Sequence, residues 1–236
     1  MTAATTAPAL LAARLRSDGA GPLLTCYDDA TGERVELSTT TFANWVAKTA
    51  NLLVDGLGCG PGDTAAVCLP MHWQSVAVAA GCWAAGLVVD LGGQAGDAAV
   101  LFTAEGGPTP AAPGGDEVRL SLRPLGGRLA TPDPGVTDYA AEVLAYGDRY
   151  GGPTPAAADP ALPGTSHAAL VGGTDPRADR ILLAPDGDPP LDRPLLVAAY
   201  LAPLAGGGST VLCRHPDPAA LPRRLEAERA TPVAAS

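Results

Sequence analysis

Residues 65–69, Ala-Ala-Val-Cys-Leu, form an apolar run with no polar alternation, and residues 87–91 form a second, apolar but for Asp90. A strand that does not alternate is buried on both faces, the usual state of a strand inside a parallel sheet. The intervening segment, 72–85, has the length and composition of a helix, so the two runs read as a βαβ unit with a right-handed crossover. Gly60-Pro61-Gly62-Asp63 is the turn that delivers the chain into the first strand. This unit constrains the remainder, because two adjacent central parallel strands need helices on their faces and further strands at their sides. The expected class is α/β, with a mainly parallel sheet flanked by helices.

The flanking segments extend the pattern. A helix is expected over 8–17, then a hairpin of strands 23–27 and 34–37 around Asp28-Asp29-Ala30-Thr31-Gly32. Thr39, Thr40 and Thr41 offer N-caps for a helix carrying Phe42, Trp45, Val46, Leu52 and Leu53 at helical spacing. Beyond the βαβ unit come a strand at 98–103, a Gly/Pro-rich loop at 106–116, a strand at 118–122 and a helix at 138–146. Residues 147–164 are mostly Gly, Pro and Ala without periodicity and read as irregular. Helix 166–171, strand 180–184, helix 191–204, strand 210–213 and helix 218–230 complete the expectation. The whole, 1–236, reads as one domain.

Composition excludes several functions. The charge is 15 basic against 25 acidic residues, net −10, which argues against a nucleic-acid or anionic-membrane surface. Lys48 is the sole lysine, so chemistry needing two is excluded. No run approaches the ~18–20 apolar residues of a membrane span. The apolar N-terminus lacks a basic leader and does not read as a signal peptide. The cysteines (Cys26, Cys59, Cys68, Cys82, Cys213) show neither a C-x-x-C pair nor zinc spacing, so they read as reduced, buried thiols of a cytoplasmic protein.

Leu57-Gly58-Cys59-Gly60-Pro61-Gly62-Asp63, Leu69-Pro70-Met71 and Ala85-Gly86-Leu87-Val88 together resemble the opening of the adenylate-forming enzymes, the superfamily of acyl-CoA synthetases, luciferases and peptide-synthetase adenylation domains. There a helix ending "LGVKPGD" leads to a strand ending "LPN", and the next helix ends "AGAV". Segments 179–184, 195–207 and 209–212 look like the family's "DRVLLALP … LAAGATVVL" stretch. The resemblance covers nearly the whole chain but only the first portion of such an enzyme. Its opening, 23–48, is also similar to a group of short actinobacterial relatives of that portion.

The resemblance implies a missing part. The family holds the ATP phosphates with a "TSGTTGxPK" loop between a "DPALI" strand and a "SHRNL" helix. Here Asp159-Pro160-Ala161-Leu162 and Ser166-His167-Ala168-Ala169-Leu170 stand for the two flanks, and only Pro163-Gly164-Thr165 separates them. The family's adenine, ribose and catalytic-lysine segments have no counterpart, and Lys48 does not align with that lysine. The resemblance therefore implies a non-catalytic or degenerate relative with no cofactor, acting as an interaction or regulatory module. The alternatives are a binder of a small molecule (an acyl or aryl acid, or a nucleotide) and half of a split ligase completed by another chain. A homodimer or a protein partner is expected, with the contact near 162–170 and the last two elements.

The candidate site residues are few. Pro70, His72 and Trp73 follow the first central strand, at the edge where ligand crevices of α/β sheets open; helix capping and core packing are the competing roles for His72 and Trp73. Gly206-Gly207-Gly208 runs from helix into strand, the reverse of a phosphate loop, and reads as a helix C-cap. Asp186, Asp188 and Asp192 lack the EF-hand register because Pro190 occupies a ligand position. His167 beside Ser166 has no orienting acid, and Cys213 with His215 lacks a third ligand. No catalytic residues and no metal site are assigned.

Overall fold

The computed structural model describes residues 4–92, 95–108, 114–131 and 133–233; residues 109–113 of the expected Gly/Pro-rich loop lie outside the described residues. Helix α1 (Ala7–Asp18) is capped by the Thr6 hydroxyl and leads to strand β1 (Pro22–Asp28), which pairs antiparallel with β2 (Glu33–Ser38). Their turn is shaped by Asp28, whose Oδ1 accepts from the Ala30 N–H at 3.0 Å. Helix α2 (Thr39–Asn51) follows. Its N-cap is Ser38 rather than one of the three threonines, with Oγ accepting from the Thr41 N–H at 3.1 Å.

The βαβ unit is β3 (Thr64–Cys68), α3 (Trp73–Ala84) and β4 (Val88–Asp90), and its two strands pair in parallel. Strands β5 (Val100–Ala104), β6 (Asp116–Leu120) and β7 (Val136–Asp138) add in parallel on the other side of β3. The order β4-β3-β5-β6-β7 corrects one expectation: β3 is internal, but β4 is the edge of its sheet. The expected helix at 138–146 is the short α4 (Tyr139–Glu142), capped by Asp138 and extended by a tighter turn, Val143–Ala145.

The end of the stretch expected to be irregular is ordered. Strand β8 (Pro160–Leu162) pairs antiparallel with β9 (Thr165–Ser166), and α5 (His167–Gly172) follows with Ser166 as its cap. Then come β10 (Arg180–Leu183), one continuous helical stretch comprising α6 (Arg193–Leu196), a wider turn (Val197–Leu201) and α7 (Ala202–Gly206), and β11 (Ser209–Arg214). Helix α8 (Leu221–Glu228) and β12 (Thr231–Val233) complete the described chain. These strands form a second five-stranded sheet, ordered β12-β10-β11-β1-β2, parallel throughout except for the β1/β2 hairpin. The expected parallel sheet therefore comes as two sheets.

Helix α3 joins them. Every residue from Trp73 to Trp83 is buried, and the helix touches β1 of one sheet and β3 and β4 of the other, besides α1 and α2. A helix apolar on all sides is stable only when enclosed in this way. With few aromatics in the chain, the close approach depends on small side chains: a Cβ on Gly81 would stand 2.5 Å from Thr49 Cβ, where α3 meets α2. Thr49 is itself fixed, its hydroxyl 2.8 Å from the Trp45 carbonyl and 2.7 Å from the Tyr139 hydroxyl. Charge rather than apolar contact secures part of α8. Glu228 takes hydrogen bonds from Tyr27, Arg34 and Arg180, while Leu221 and Leu225 pack against Leu182, Val211 and Cys213.

In an exposed helix, Gly→Ala gains about 1 kcal/mol. At Gly81 the steric conflict reverses the sign, and Gly81→Ala is expected to destabilise by about 1–3 kcal/mol. Thermal denaturation checks this through a lower Tm.

Candidate functional site

A cleft of about 550 Å³ opens at the carboxyl ends of β3, β5 and β6 and is closed on its far side by the end of β11. Its architecture follows from a splice between the two sheets. The Leu191 N–H donates to the Leu69 carbonyl at 2.8 Å, the Met71 N–H donates to the Pro189 carbonyl at 3.0 Å, and Pro70 bridges Pro190. Pro70 and Pro190 thus form the apolar floor, with Val67, Leu69 and Leu91 beside them. Glu105, Ser121, Asp188 and Arg214 supply the polar positions.

Arg214 is the best-held group in the wall. Its Nη1 donates to Asp28 Oδ2 at 3.1 Å, and its Nε and Nη2 grip both oxygens of Asp188 at 3.1 and 2.8 Å. His215 Nδ1 lies 3.0 Å from Asp28 Oδ1. The guanidinium is therefore a framework cation, already answered by two carboxylates. Two non-glycine residues with positive φ flank the cleft: Leu122 at 53°, which lines it, and His215 at 44°, which follows Arg214. Such conformations cost about 1–3 kcal/mol and persist where surrounding contacts enforce them.

Of the three residues expected at the crevice, Pro70 lines it, and His72 and Trp73 lie in the interior. His72 caps α3: its Nδ1 accepts from the Gln74 N–H at 3.2 Å, which leaves the ring proton on Nε2. Burial, reinforced by the positive charge of Arg214, holds the His72 imidazole well below its ordinary range. Trp73 packs edge-on against Trp45 at 5.2 Å.

The other candidates have structural partners. Ser166 caps α5, and His167 packs edge-on to Trp83, so the two make no dyad. Gly207 and Gly208 donate back to the Pro203 carbonyl as a helix cap. Asp188 grips Arg214, and Asp192 caps α6 through Leu195. Cys213 Sγ accepts from Arg224 while His215 turns to Asp28. Lys48 Nζ lies 2.5 Å from the Tyr146 carbonyl and 3.0 Å from Asp148, anchoring that loop to α2. All five cysteines are free, and among the described residues no cluster of three or more His, Cys, Asp or Glu is placed to hold a metal ion. No helix among the described residues is long and apolar enough to cross a membrane.

Sequence reasoning missed Arg214, Glu105 and Ser121, and weighed Asp188 only as a cation ligand. One signal was present: Asp28 and Arg214 each end an otherwise largely apolar strand, and they fall in register in the parallel β1/β11 pair.

His72 and His167 are both wholly buried, and burial lowers the pKa of each below the ordinary 6.5. The folded state therefore binds fewer protons than the unfolded chain below about pH 6.5. Stability is complete above that value and is lost as the pH falls beneath it, by up to about 1.4 kcal/mol per pH unit for each group. Denaturation between roughly pH 8 and 5 should give a flat Tm that turns down below 6.5. His72→Asn, which keeps a capping side chain, should shallow the decline.

No family model matches the sequence. The chain is 42% identical to a TIGR03089 family protein of Mycobacterium tuberculosis (strain ATCC 25618 / H37Rv) over 245 residues, covering 98% of this chain and 99% of the relative. Among solved structures it is similar to an acyl-CoA synthetase of Brucella canis, with a TM-score of 0.73 and 20% identity over 97% of this chain and 47% of that one. It is also similar to a fatty acyl CoA synthetase of Mycobacterium tuberculosis, with a TM-score of 0.71 and 13% identity over 96% of this chain and 48% of that one. The chain spans about half the length of these enzymes, and at such identities the likeness concerns the fold. The fold is therefore that of the N-terminal part of acyl-CoA synthetases, and the chain belongs to the TIGR03089 family.

Proposed function

We propose that this chain is a non-catalytic member of the adenylate-forming fold, a binding or regulatory module that performs no ATP chemistry. The observation that carries the reading is the turn between β8 and β9. Pro163 and Gly164 alone connect these strands, with Gly164 at φ 68°, in the place where the resemblance puts the phosphate loop. A two-residue turn presents no series of backbone N–H groups and hydroxyls to a triphosphate. The Ser166 hydroxyl in β9 is engaged as the cap of α5. In this reading the chain is a single domain, 1–236, and the β8/β9 turn at the end of 147–164 stands where that loop is deleted.

What this module binds is suggested by the cleft. An apolar floor with a few fixed polar groups at the carboxyl ends of parallel strands is the usual form of a small-molecule site. Pairing with a second copy of the chain is favoured by a separate observation: β12 is an edge strand, and beside it runs a groove lined by Leu170, Ile181, Val197 and Val233. Light scattering should give a dimer mass at micromolar concentration; a monomer mass removes this part of the proposal.

ATP–pyrophosphate exchange tests the main reading. Transition-state charge stabilisation of this kind is worth several kcal/mol per element, so the purified chain should show no exchange above a buffer blank with any acyl or aryl acid. Exchange above the blank would overturn the proposal.

A further inference from the structure

The charges that line the cleft do not cancel, and the excess lies on one wall. The Arg214 and Asp28 side chains are buried, 7% and 5% exposed, whereas Asp188, at 32%, is the member of the group that reaches the open cleft. Arg214 sets one positive charge against the two carboxylates that hold it. His215, with Nδ1 3.0 Å from Asp28 Oδ1 and Nε2 3.9 Å from Asp188 Oδ2, adds none while neutral. With His215 neutral the wall therefore carries one negative charge in excess, presented to the cleft at Asp188. Glu105, the other carboxylate lining the cleft, is answered by Arg123 at 3.1 Å and adds no excess.

Hydrogen bonding is as one-sided as charge. The Ser121 hydroxyl donates to the Gly127 carbonyl, the Gly92 N–H to Asp90 Oδ1 at 2.8 Å, and the Gly107 N–H to the Ala104 carbonyl at 3.0 Å. Arg214 directs Nε, Nη1 and Nη2 at Asp188 and Asp28. The donors of the cleft are committed to the protein. Asp188, by contrast, receives one hydrogen bond at each oxygen, and each carboxylate oxygen has room for a second.

This carboxylate stands beside the apolar floor. Pro190 follows Asp188 by two residues and bridges Pro70, and the Met71 and Leu191 N–H groups fix the same loop to the end of β3. Charge and floor are thus set at a constant separation by one short, doubly bonded segment.

We propose that the cleft takes an amphiphilic cation, a primary amine whose ammonium group rests on Asp188 and whose apolar body lies on Pro70 and Pro190. This rests on the reading of the cleft as a small-molecule site and names its ligand class. An ammonium group carries three donors and no acceptor, the complement of what the wall offers. A guanidinium or amidinium fits less well, because its planar fork needs the two-oxygen edge of Asp188 that Arg214 already occupies. Acyl acids, aryl acids and nucleotides are anions. In this cleft they would lie against Asp188 and Glu105, with its one buried guanidinium already held by two carboxylates.

Phenethylamine, phenethyl alcohol and hydrocinnamate share an apolar body and differ in charge, and titrating each into ¹⁵N-labelled protein tests the proposal. At about pH 8, where an alkylammonium stays charged, the amine should move the amides of Met71, Asp188 and Leu191 saturably. It should bind about tenfold or more tightly than the alcohol, and the acid more weakly than either. Added salt should weaken the amine several-fold and leave the alcohol unchanged. Asp188→Asn keeps the side chain's size and removes the excess charge, so the amine should fall to the affinity of the alcohol. Glu226→Gln makes the same change of net charge on the exposed side of α8 and should leave binding as it was. Equal affinity of amine and alcohol, tighter binding of the acid, or undiminished amine binding in Asp188→Asn would overturn the cation assignment while the cleft reading stands. No movement of these amides with any of the three compounds counts against both. The comparison among the compounds needs no variant, so it decides the proposal even if Asp188→Asn does not fold.

Discussion

The pairing of β1 with β11 is the constraint on which the remaining structure depends. Residues 24–28 lie in parallel register with 210–214, so the beginning and end of the described chain share one sheet. At the end of that register Asp28 meets Arg214 at 3.1 Å, both side chains almost wholly buried. Separating such a pair by removing one partner costs about 3–5 kcal/mol, because the other charge is left uncompensated. Since Arg214 also holds Asp188, the same contact fixes the loop after β10 and one wall of the cleft.

The second requirement is an enclosed α3. It is the layer common to both sheets, and its surroundings explain why small residues dominate a chain with so few aromatics. Gly81 admits α2, and Trp83 sends its indole N–H to Ala161, which secures β8 over the helix. The short β8/β9 hairpin is therefore an integrated part of the core, with Ala161 and Leu162 buried in it.

Much of this architecture was legible in the sequence because it is local. The run at 65–69 carries its own evidence of double-sided burial, and β3 is internal to its sheet. What was not legible has physical reasons. Strands β7 and β12 have three residues each and draw their conformation from neighbours, so no period marks them. The division into two sheets depends on β1 meeting β11 across some 180 residues, which no window reveals. His72 and Trp73 do stand after a central strand, but a capping side chain folds back onto its own helix and away from the crevice. Arg214 was overlooked because the charge ending a strand gains meaning only beside the strand it pairs with.

The β1/β11 pairing brings Asp28, Arg214 and Asp188 together at the cleft wall within one chain. Hydrogen exchange at the amides of residues 24–27 and 210–213 tests it most directly. If β1 and β11 close as one unit, both strands exchange only through global unfolding, with equal opening free energies. Faster exchange of β1 than of β11 would contradict the account.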